Sequence, residues 1–324
     1  MKHVDLKNKR ILYFGRVDFD YDQYLIKKLN QLGANVTPFE LQMNTIGLKF
    51  IRKFKPSKIE TYKKNYYDKA LAKSNYDYVL VRAGFQLPLS FYEQLTKTHP
   101  GAQFINFHWD SLKPNYDYRP ILPYFNKVFS FDYKDCETHK ELQYLPLFYI
   151  DEYASLQSKG IVNKIDILFI GAWRNTERYN LIKKTEKICE HANLKFSHYL
   201  HQPLWTYLVS IKEGIVPKEV KFKKLSPKEI IKLFSISNTI IDFPSSFQTG
   251  LTIRTFETLA AGKKLITTNK NIITEPFYNP EIINIVEPDN FRLDLDFIKR
   301  NPKFSLKEKI KDYSIENYIY KLLD

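Results

Sequence analysis

The residues best placed to do chemistry lie between Asp242 and Asn269. The chain there reads Asp242-Phe243-Pro244, a polar stretch containing Gln248, then Gly250-Leu251-Thr252-Ile253-Arg254-Thr255-Phe256-Glu257. Gly262 follows, and Lys264-Leu265-Ile266-Thr267-Thr268-Asn269 closes the segment. In structural terms this is strand, polar loop, helix, glycine cap and strand. Amides at the helix start, near Gly250, Leu251 and Thr252, have no partner within the helix and sit at the positive end of its dipole, which suits a diphosphate. Ile253, Phe256 and Ala260 share one side of such a helix and leave Arg254, Glu257 and Thr258 on the other. A carboxylate one to two turns in, beside a phosphate site, can accept hydrogen bonds from ribose hydroxyls. The competing reading makes Arg254 and Glu257, at i and i+3, an ordinary helix-surface ion pair.

Such a segment needs a sheet to hold it, and the chain offers two series of strand and helix signals. The first runs through strand-like stretches at 10–15, 35–39, 76–81, 103–107 and 127–131. A helical pattern carrying Leu25, Leu29 and Leu32 separates the first two, and Gly33 stops it. The second series has strands at 165–171, 196–200, 220–222, 239–243 and 264–268, with a helix over 177–193. Ser226-Pro227-Lys228-Glu229 joins an N-cap, a proline at the first helical position and an acid at N3, so another helix starts there. This rhythm predicts an α/β protein with two doubly wound parallel sheets, one domain over 1–155 and the other over 156–324, joined by a polar linker around 149–162. Ligands of such sheets sit beyond the carboxyl ends of the strands, here in a cleft between facing domains.

The run Gln248-x-Gly250-Leu251-Thr252-x-Arg254-Thr255-x-Glu257, with Gly262-Lys263-Lys264-Leu265-Ile266-Thr267-Thr268-Asn269 after it, resembles bacterial glycosyltransferases of capsule and lipopolysaccharide biosynthesis. Further pieces that match in order are Trp109-Asp110-Ser111 with Asn115, Ser130-Phe131-Asp132 with Asp135, 144–149, and Phe169-Ile170-Gly171 with Arg178. The resemblance covers roughly residues 100–290. It implies the GT-B fold of two facing Rossmann-like domains, with an acceptor-binding first domain and a nucleotide-sugar donor held mainly by the second. It also implies transfer of a sugar to a growing surface glycan, with no cofactor beyond the donor itself. Glu257-x-x-Ala260-x-Gly262 agrees with the broader retaining pattern, whose second glutamate binds the donor ribose. The first glutamate of that pattern falls on Thr249, so inverting chemistry stays open.

Further donor-side candidates are Gly171, at the end of a strand where backbone can approach phosphate, and the cations Arg178 and Lys223. A departing nucleoside diphosphate must have its growing charge stabilised, and Arg or Lys with a helix N-terminus does so without metal. The alternative for each cation is a solvated surface residue. An inverting enzyme needs a base on the acceptor side. Asp110, beyond the strand 103–107 and beside Trp109, is the first candidate, and Asp132, at the end of the next strand, is the second. Capping is the competing role for both.

Composition narrows the setting. With 44% hydrophobic residues over 324, the chain has ample material for two cores. No apolar run reaches the ~20 residues of a spanning helix, and Met1 to Asp5 carries no apolar signal region. Two cysteines, Cys136 and Cys189, make neither a disulfide framework nor a zinc site, and Cys136 reads as a passive thiol. His191, His198 and His201 lack ligand spacing, and Asp18-Phe19-Asp20-Tyr21-Asp22 reads as an acidic helix start rather than a metal motif. A cytoplasmic protein, peripheral on the inner face of the plasma membrane, is expected. The net charge of +14 favours polyanions. Between Lys49 and Lys73, nine basic residues alternate with Phe50, Ile51, Phe54, Tyr62, Tyr66 and Tyr67. That pattern fits an anionic membrane surface or single-stranded nucleic acid, or else a helical region with core-facing aromatics. The rival readings are a basic nucleic-acid-binding α/β protein, which lacks any reading motif, and a GT-B protein that binds nucleotide sugar without turnover.

Overall fold

Every pairing in the two sheets is parallel, so each strand must be followed by a crossover before the next can join it. The computed structural model describes residues 3–17, 20–41, 46–72, 75–158, 164–300 and 305–324. These fall into two compact units. In the first, β1 (Arg10–Gly15), β2 (Asn35–Glu40), β3 (Tyr78–Arg82), β4 (Gln103–His108), β5 (Lys127–Ser130) and β6 (Gln143–Tyr144) are ordered β2-β1-β3-β4-β5-β6. In the second, β7 (Ile165–Ala172), β8 (Phe196–His201), β9 (Val220–Lys221), β10 (Ser237–Asp242), β11 (Lys264–Thr267) and β12 (Ile283–Ile285) are ordered β12-β11-β10-β7-β8-β9. The second is the doubly wound dinucleotide-type order and the first the flavodoxin-type order with one strand added. The expected α/β class and the two Rossmann-like units are both present.

Strands covered on both faces must be apolar without alternation, and these are. Leu12, Tyr13 and Phe14 of β1 are fully buried, as are Val79, Leu80 and Val81 of β3. In the second unit Ile167, Leu168 and Phe169 of β7 lie beside Ile240 and Ile241 of β10 in the same way. Gly33 and Gly262 both adopt positive φ (99° and 68°) and end helices, as the glycine signals predict. Ser226 and Glu229 form a complete capping box on the helix Pro227–Ser235. The sequence reading missed β6 and β12, which have two and three residues, too few for periodicity to register.

The units divide differently from the expected 1–155 and 156–324. The first comprises 1–146 together with 315–324, and the second 147–314. Side-chain burial explains both changes. The short helix Asp151–Ala154, expected to lead into a linker, buries Tyr153 with its ring 5.1 Å from that of Phe234, so it belongs to the second unit. The last helix, Ile315–Leu323, lies against Asp20–Gln31 and buries Tyr318, Ile319, Leu322 and Leu323 in the first unit. Ser155–Ser158 continues the helix Asp151–Ala154 as a 3-10 turn, and 159–162 of the expected linker lie outside the described residues.

At the point in the first unit where strand order reverses, between β1 and β3, a buried ion pair ties the elements together. Asp22 Oδ1 accepts from Arg82 Nε (2.8 Å), Tyr13 Oη (2.6 Å) and the Arg16 amide (3.1 Å). Burial pushes the Asp22 carboxyl up against the pull of Arg82. Burial likewise acts to lower the Arg82 guanidinium, but the Asp22 charge outweighs it and holds the cation protonated. Asp22 is therefore far more than an acidic helix start; Asp18, in the same motif, lies outside the described residues. Asp22→Ala should cost about 3–5 kcal/mol in urea unfolding, because a buried charge loses its partner. The paired change Asp22→Leu with Arg82→Met should cost clearly less. Equal losses for the two would mean the ion pair is not what holds this region.

Candidate functional site

In the second unit the chain leaves β7 towards β8 and β9, but leaves β10 in the opposite direction towards β11 and β12. Crossovers on the two sides diverge, and a crevice opens beyond the carboxyl ends of β7 and β10. A cavity of about 400 Å³ lies there, within the usual range for small-molecule sites. Its walls come from the segments that follow four strands: Asn175 and Arg178 after β7, Ser245, Ser246, Gln248 and Thr249 after β10, Asn269 and Asn271 after β11, and Glu287 after β12. Hydroxyl and amide side chains dominate, over an apolar floor of Leu181 and Phe243.

The helix Thr176–His191 points its N-terminus at this cavity, with Asn175 as its cap accepting from the Arg178 amide (3.0 Å). The peptide dipoles of this 16-residue helix favour an anion at that end. Arg178 adds a full charge. Its guanidinium donates from Nη1 to the Ala172 carbonyl (3.1 Å), while its buried Nε has no hydrogen-bond partner. Burial lowers the Arg178 pKa, opposed by the Asp242 carboxylate. Burial also pushes Asp242 up, against the hydroxyl that Thr252 donates to it. A partly desolvated cation that lines a crevice beside a helix N-terminus can receive an anion there.

The facing loop is braced from β11. Asn269 Nδ2 donates to the Thr249 and Gly250 carbonyls (3.1 and 3.0 Å), and Asn271 Nδ2 donates to the Thr249 carbonyl (2.9 Å). Gln248 Nε2 donates to the Gly250 carbonyl (3.2 Å). The polar ends of the resembling segment thus hold one another, and the loop keeps its shape with the crevice empty of protein.

The sequence candidates divide sharply. Arg178 and Gln248 line the cavity; Gly250, Leu251 and Thr252 lie just behind it, the first two buried. Arg254 and Glu257 do form an i,i+3 pair, Nη1 to Oε2 at 2.6 Å, but not on a surface: Glu257 is 0% exposed. Tyr153 is its second neighbour, and Arg254 lies over the Phe234 ring at 5.1 Å. Glu257 thus acts on Arg254 rather than opening onto the cavity, which corrects the helix-face reading. The helix Ile253–Ala260 is buried from Thr255 to Ala260 because apolar neighbours cover both of its sides. Gly171 serves packing: a Cβ there would meet the Phe169 ring at 2.8 Å. Lys223 is exposed and bound to Glu229 (2.8 Å), away from the cavity lining. Lys264, in the resembling run, is buried with Nζ donating to the carbonyls of Phe297, Ile298 and Arg300, a structural tie.

In the first unit a cavity of about 700 Å³ opens beyond β1, β2 and β3. Arg16, Arg52, Lys63 and Lys64 rim it over Leu87 and Phe91, with Lys63 and Lys64 paired to Glu60 and Asp68. Beside it Ala83, at φ 68°, adopts a left-handed backbone that Asn106 Nδ2 secures through the Val81 and Ala83 carbonyls. Asp110 is exposed at the carboxyl end of β4. Trp109 does not desolvate it, being engaged with Arg82 (4.9 Å) and the Tyr318 hydroxyl (3.0 Å). Asp132 is buried as the cap of Tyr133–Thr138, accepting from Ser111 Oγ (2.6 Å) and the Lys134 and Asp135 amides. That is the capping role, and it leaves Asp110 the accessible carboxylate of the two.

The basic-aromatic segment is mixed. Tyr66 and Tyr67 pack on the core, whereas Phe50 and Phe54 are exposed, rings 4.7 Å apart. The Lys49 side chain and Lys73 lie outside the described residues. Cys136 and Cys189 are both free, and burial pushes their thiols up to about 12 and about 11. Among the described residues no cluster of His, Cys, Asp and Glu could hold a metal ion, and no helix is long and apolar enough to cross a membrane.

No protein-family model matches the sequence, and no curated protein matches it either. Solved structures do match. A provisionally named UDP-N-acetylglucosamine 2-epimerase from Listeria monocytogenes aligns over 98% of this chain and 95% of its own, with 10% identity and a TM-score of 0.52. The UDP-N-acetylglucosamine 2-epimerase of Rickettsia bellii aligns over 98% and 96%, also at 10% identity and 0.52. The heptosyltransferase WaaC of E. coli, with ADP, aligns over 94% and 100% at 12% identity, but its TM-score of 0.38 bears no weight. At such identities the likeness is one of fold: this chain is a two-unit α/β protein of the GT-B type.

Arg178→Met tests the cavity directly. Without ligand the thermal midpoint should hold or rise, since a buried, half-satisfied charge is removed. The rise in midpoint that pyrophosphate produces in the wild type should vanish. A full pyrophosphate response in the variant would show that anions bind elsewhere.

Proposed function

We propose that this protein is a glycosyltransferase that moves a sugar from a nucleotide-sugar donor to a surface-glycan acceptor of the capsule or lipopolysaccharide kind. The observation that carries the reading is Arg178, a half-buried arginine that lines the switch-point cavity beside the N-terminus of the helix Thr176–His191. The diphosphate is assigned to Arg178 and the N-terminus of Thr176–His191, and the sugar and ribose hydroxyls to the amide- and hydroxyl-rich loops opposite. As the glycosidic bond to the donor breaks, charge grows on the leaving diphosphate, and Arg178 stabilises it from a fixed position. Glu257 enters by orienting Arg254, not by touching the ribose. The acceptor is assigned to the first unit, beyond the carboxyl ends of its strands, with its reacting hydroxyl at the exposed Asp110 after β4 and the basic-rimmed cavity beyond β1 to β3 left for the rest of an anionic, lipid-linked glycan. Asp110 is the proposed base, because it is the exposed carboxylate while Asp132 is spent on capping.

A second reading is favoured by the names of the two structures with the higher scores, both UDP-N-acetylglucosamine 2-epimerases. Those names also support a nucleotide sugar as the ligand. An epimerase isomerises its nucleotide sugar with no acceptor, whereas a transferase releases nucleoside diphosphate only when an acceptor is present. Incubation of the protein with a panel of nucleotide sugars, with and without glycan acceptors, separates the two by the products formed. Acceptor-dependent release supports transfer, and conversion without acceptor overturns it in favour of epimerisation. Binding without either product would make this a non-catalytic nucleotide-sugar protein.

For the base, Asp110→Asn should slow turnover about 10²–10⁴-fold with nucleotide affinity unchanged. Steady-state kinetics alongside calorimetry measure both. A near-normal rate would take Asp110 out of the reaction.

A further inference from the structure

Helix Leu204–Lys212 of the second unit is built inside out. Its one buried residue is Ser210, whose hydroxyl donates to the Thr206 carbonyl (3.0 Å) and accepts from Gln202 Nε2 (3.1 Å). Its apolar residues face outward: Trp205 is 76% exposed, and Leu208 and Ile211 are exposed beside it. The chain beyond continues the pattern with Val216 (61%) and with Phe222, whose ring meets that of Tyr207 at 5.2 Å. Phe222 follows β9, the edge strand of its sheet, so helix and edge present a common apolar face. Globular proteins keep such faces small unless something covers them.

The charges around the face identify what covers it. Lys212, Lys218 and Lys221 are exposed on the same stretch. Of the two acids there, Glu219 is already engaged by Lys183 (3.0 Å) and His198 (3.2 Å), leaving Glu213 alone. A second copy of this chain would bring the same positive collar against itself. An anionic lipid surface instead meets both features, with tryptophan and leucine entering the interface and lysines reaching the headgroups. We propose that residues 204–222 form a docking surface that seats the second unit on an anionic phospholipid bilayer. This surface is independent of the 49–73 segment, and the inference does not depend on the reaction catalysed.

The test is co-sedimentation of the full chain with phosphatidylcholine vesicles carrying increasing phosphatidylglycerol, combined with tryptophan emission. Binding should rise with anionic lipid and fall with salt. Each of Lys212→Gln, Lys218→Gln and Lys221→Gln should weaken it about fivefold, the equivalent of about 1 kcal/mol per cation. Leu208→Glu with Val216→Glu should weaken it at least tenfold. Acyl chains carrying bromine should quench emission in the wild type and much less in Trp205→Phe, a conservative exchange that leaves the fold intact. The proposal is overturned if the wild type does not bind, or if the glutamate variant binds as well as the wild type. It is overturned too if only Phe50→Glu with Phe54→Glu abolishes binding, which moves docking to the first unit. A concentration-dependent dimer lost in Leu208→Glu, without vesicle binding, would show that a second copy covers the face.

Discussion

Parallel pairing is the constraint from which the rest of this protein follows. A parallel strand cannot be reached by a tight turn, so each chain segment climbs one strand and returns by a crossover on one face of the sheet. Where the strand order reverses, between β7 and β10, successive crossovers run apart and leave a crevice at the carboxyl ends. The same reversal between β1 and β3 places the larger cavity of the first unit. Both sites are therefore positioned by topology, and the loops that line them supply the chemistry.

Three cations, two of them buried and one half-buried, show how the molecule separates structure from function. Arg82 is matched by the Asp22 carboxylate, and Lys264 by three backbone carbonyls that would otherwise end a helix without donors. Neither side chain lines either of the two cavities. Arg178 is different because it lines a cavity, where one carbonyl receives Nη1 and Asp242 balances part of its charge. The outward-facing apolar helix Leu204–Lys212 is the surface counterpart, a local conflict with ordinary burial.

Strand and helix positions were legible in the residues themselves. Runs such as Ile11 to Phe14 and Ile167 to Ile170 have to be buried on both faces, and Gly33, Gly262 and the Ser226–Glu229 box mark helix ends by backbone chemistry alone. The positions of the polar loop before Gly250 and of Arg178 beyond the strand ends were legible as well, because in a doubly wound sheet the segments that follow the strands line the crevice. Asn269 was visible only as part of a motif; its hold on the Thr249 and Gly250 carbonyls joins residues twenty and nineteen apart.

What the tertiary structure alone decided is which charged groups are open. Glu257 and Arg254 have the spacing of a surface pair, yet neighbouring elements close over them. Asp22, in an unremarkable acidic helix start, meets Arg82 sixty residues away and becomes a buried tie. Asp110 and Asp132 both follow strands, and only the position of Ser111 and the Tyr133–Thr138 helix turns the second into a cap. The return of Ile315–Leu323 to the first unit belongs to the same class. Local sequence determines backbone conformation because steric and capping preferences act over a few residues. Burial depends on what distant segments bring to the same place, and that is settled only when the sheets assemble.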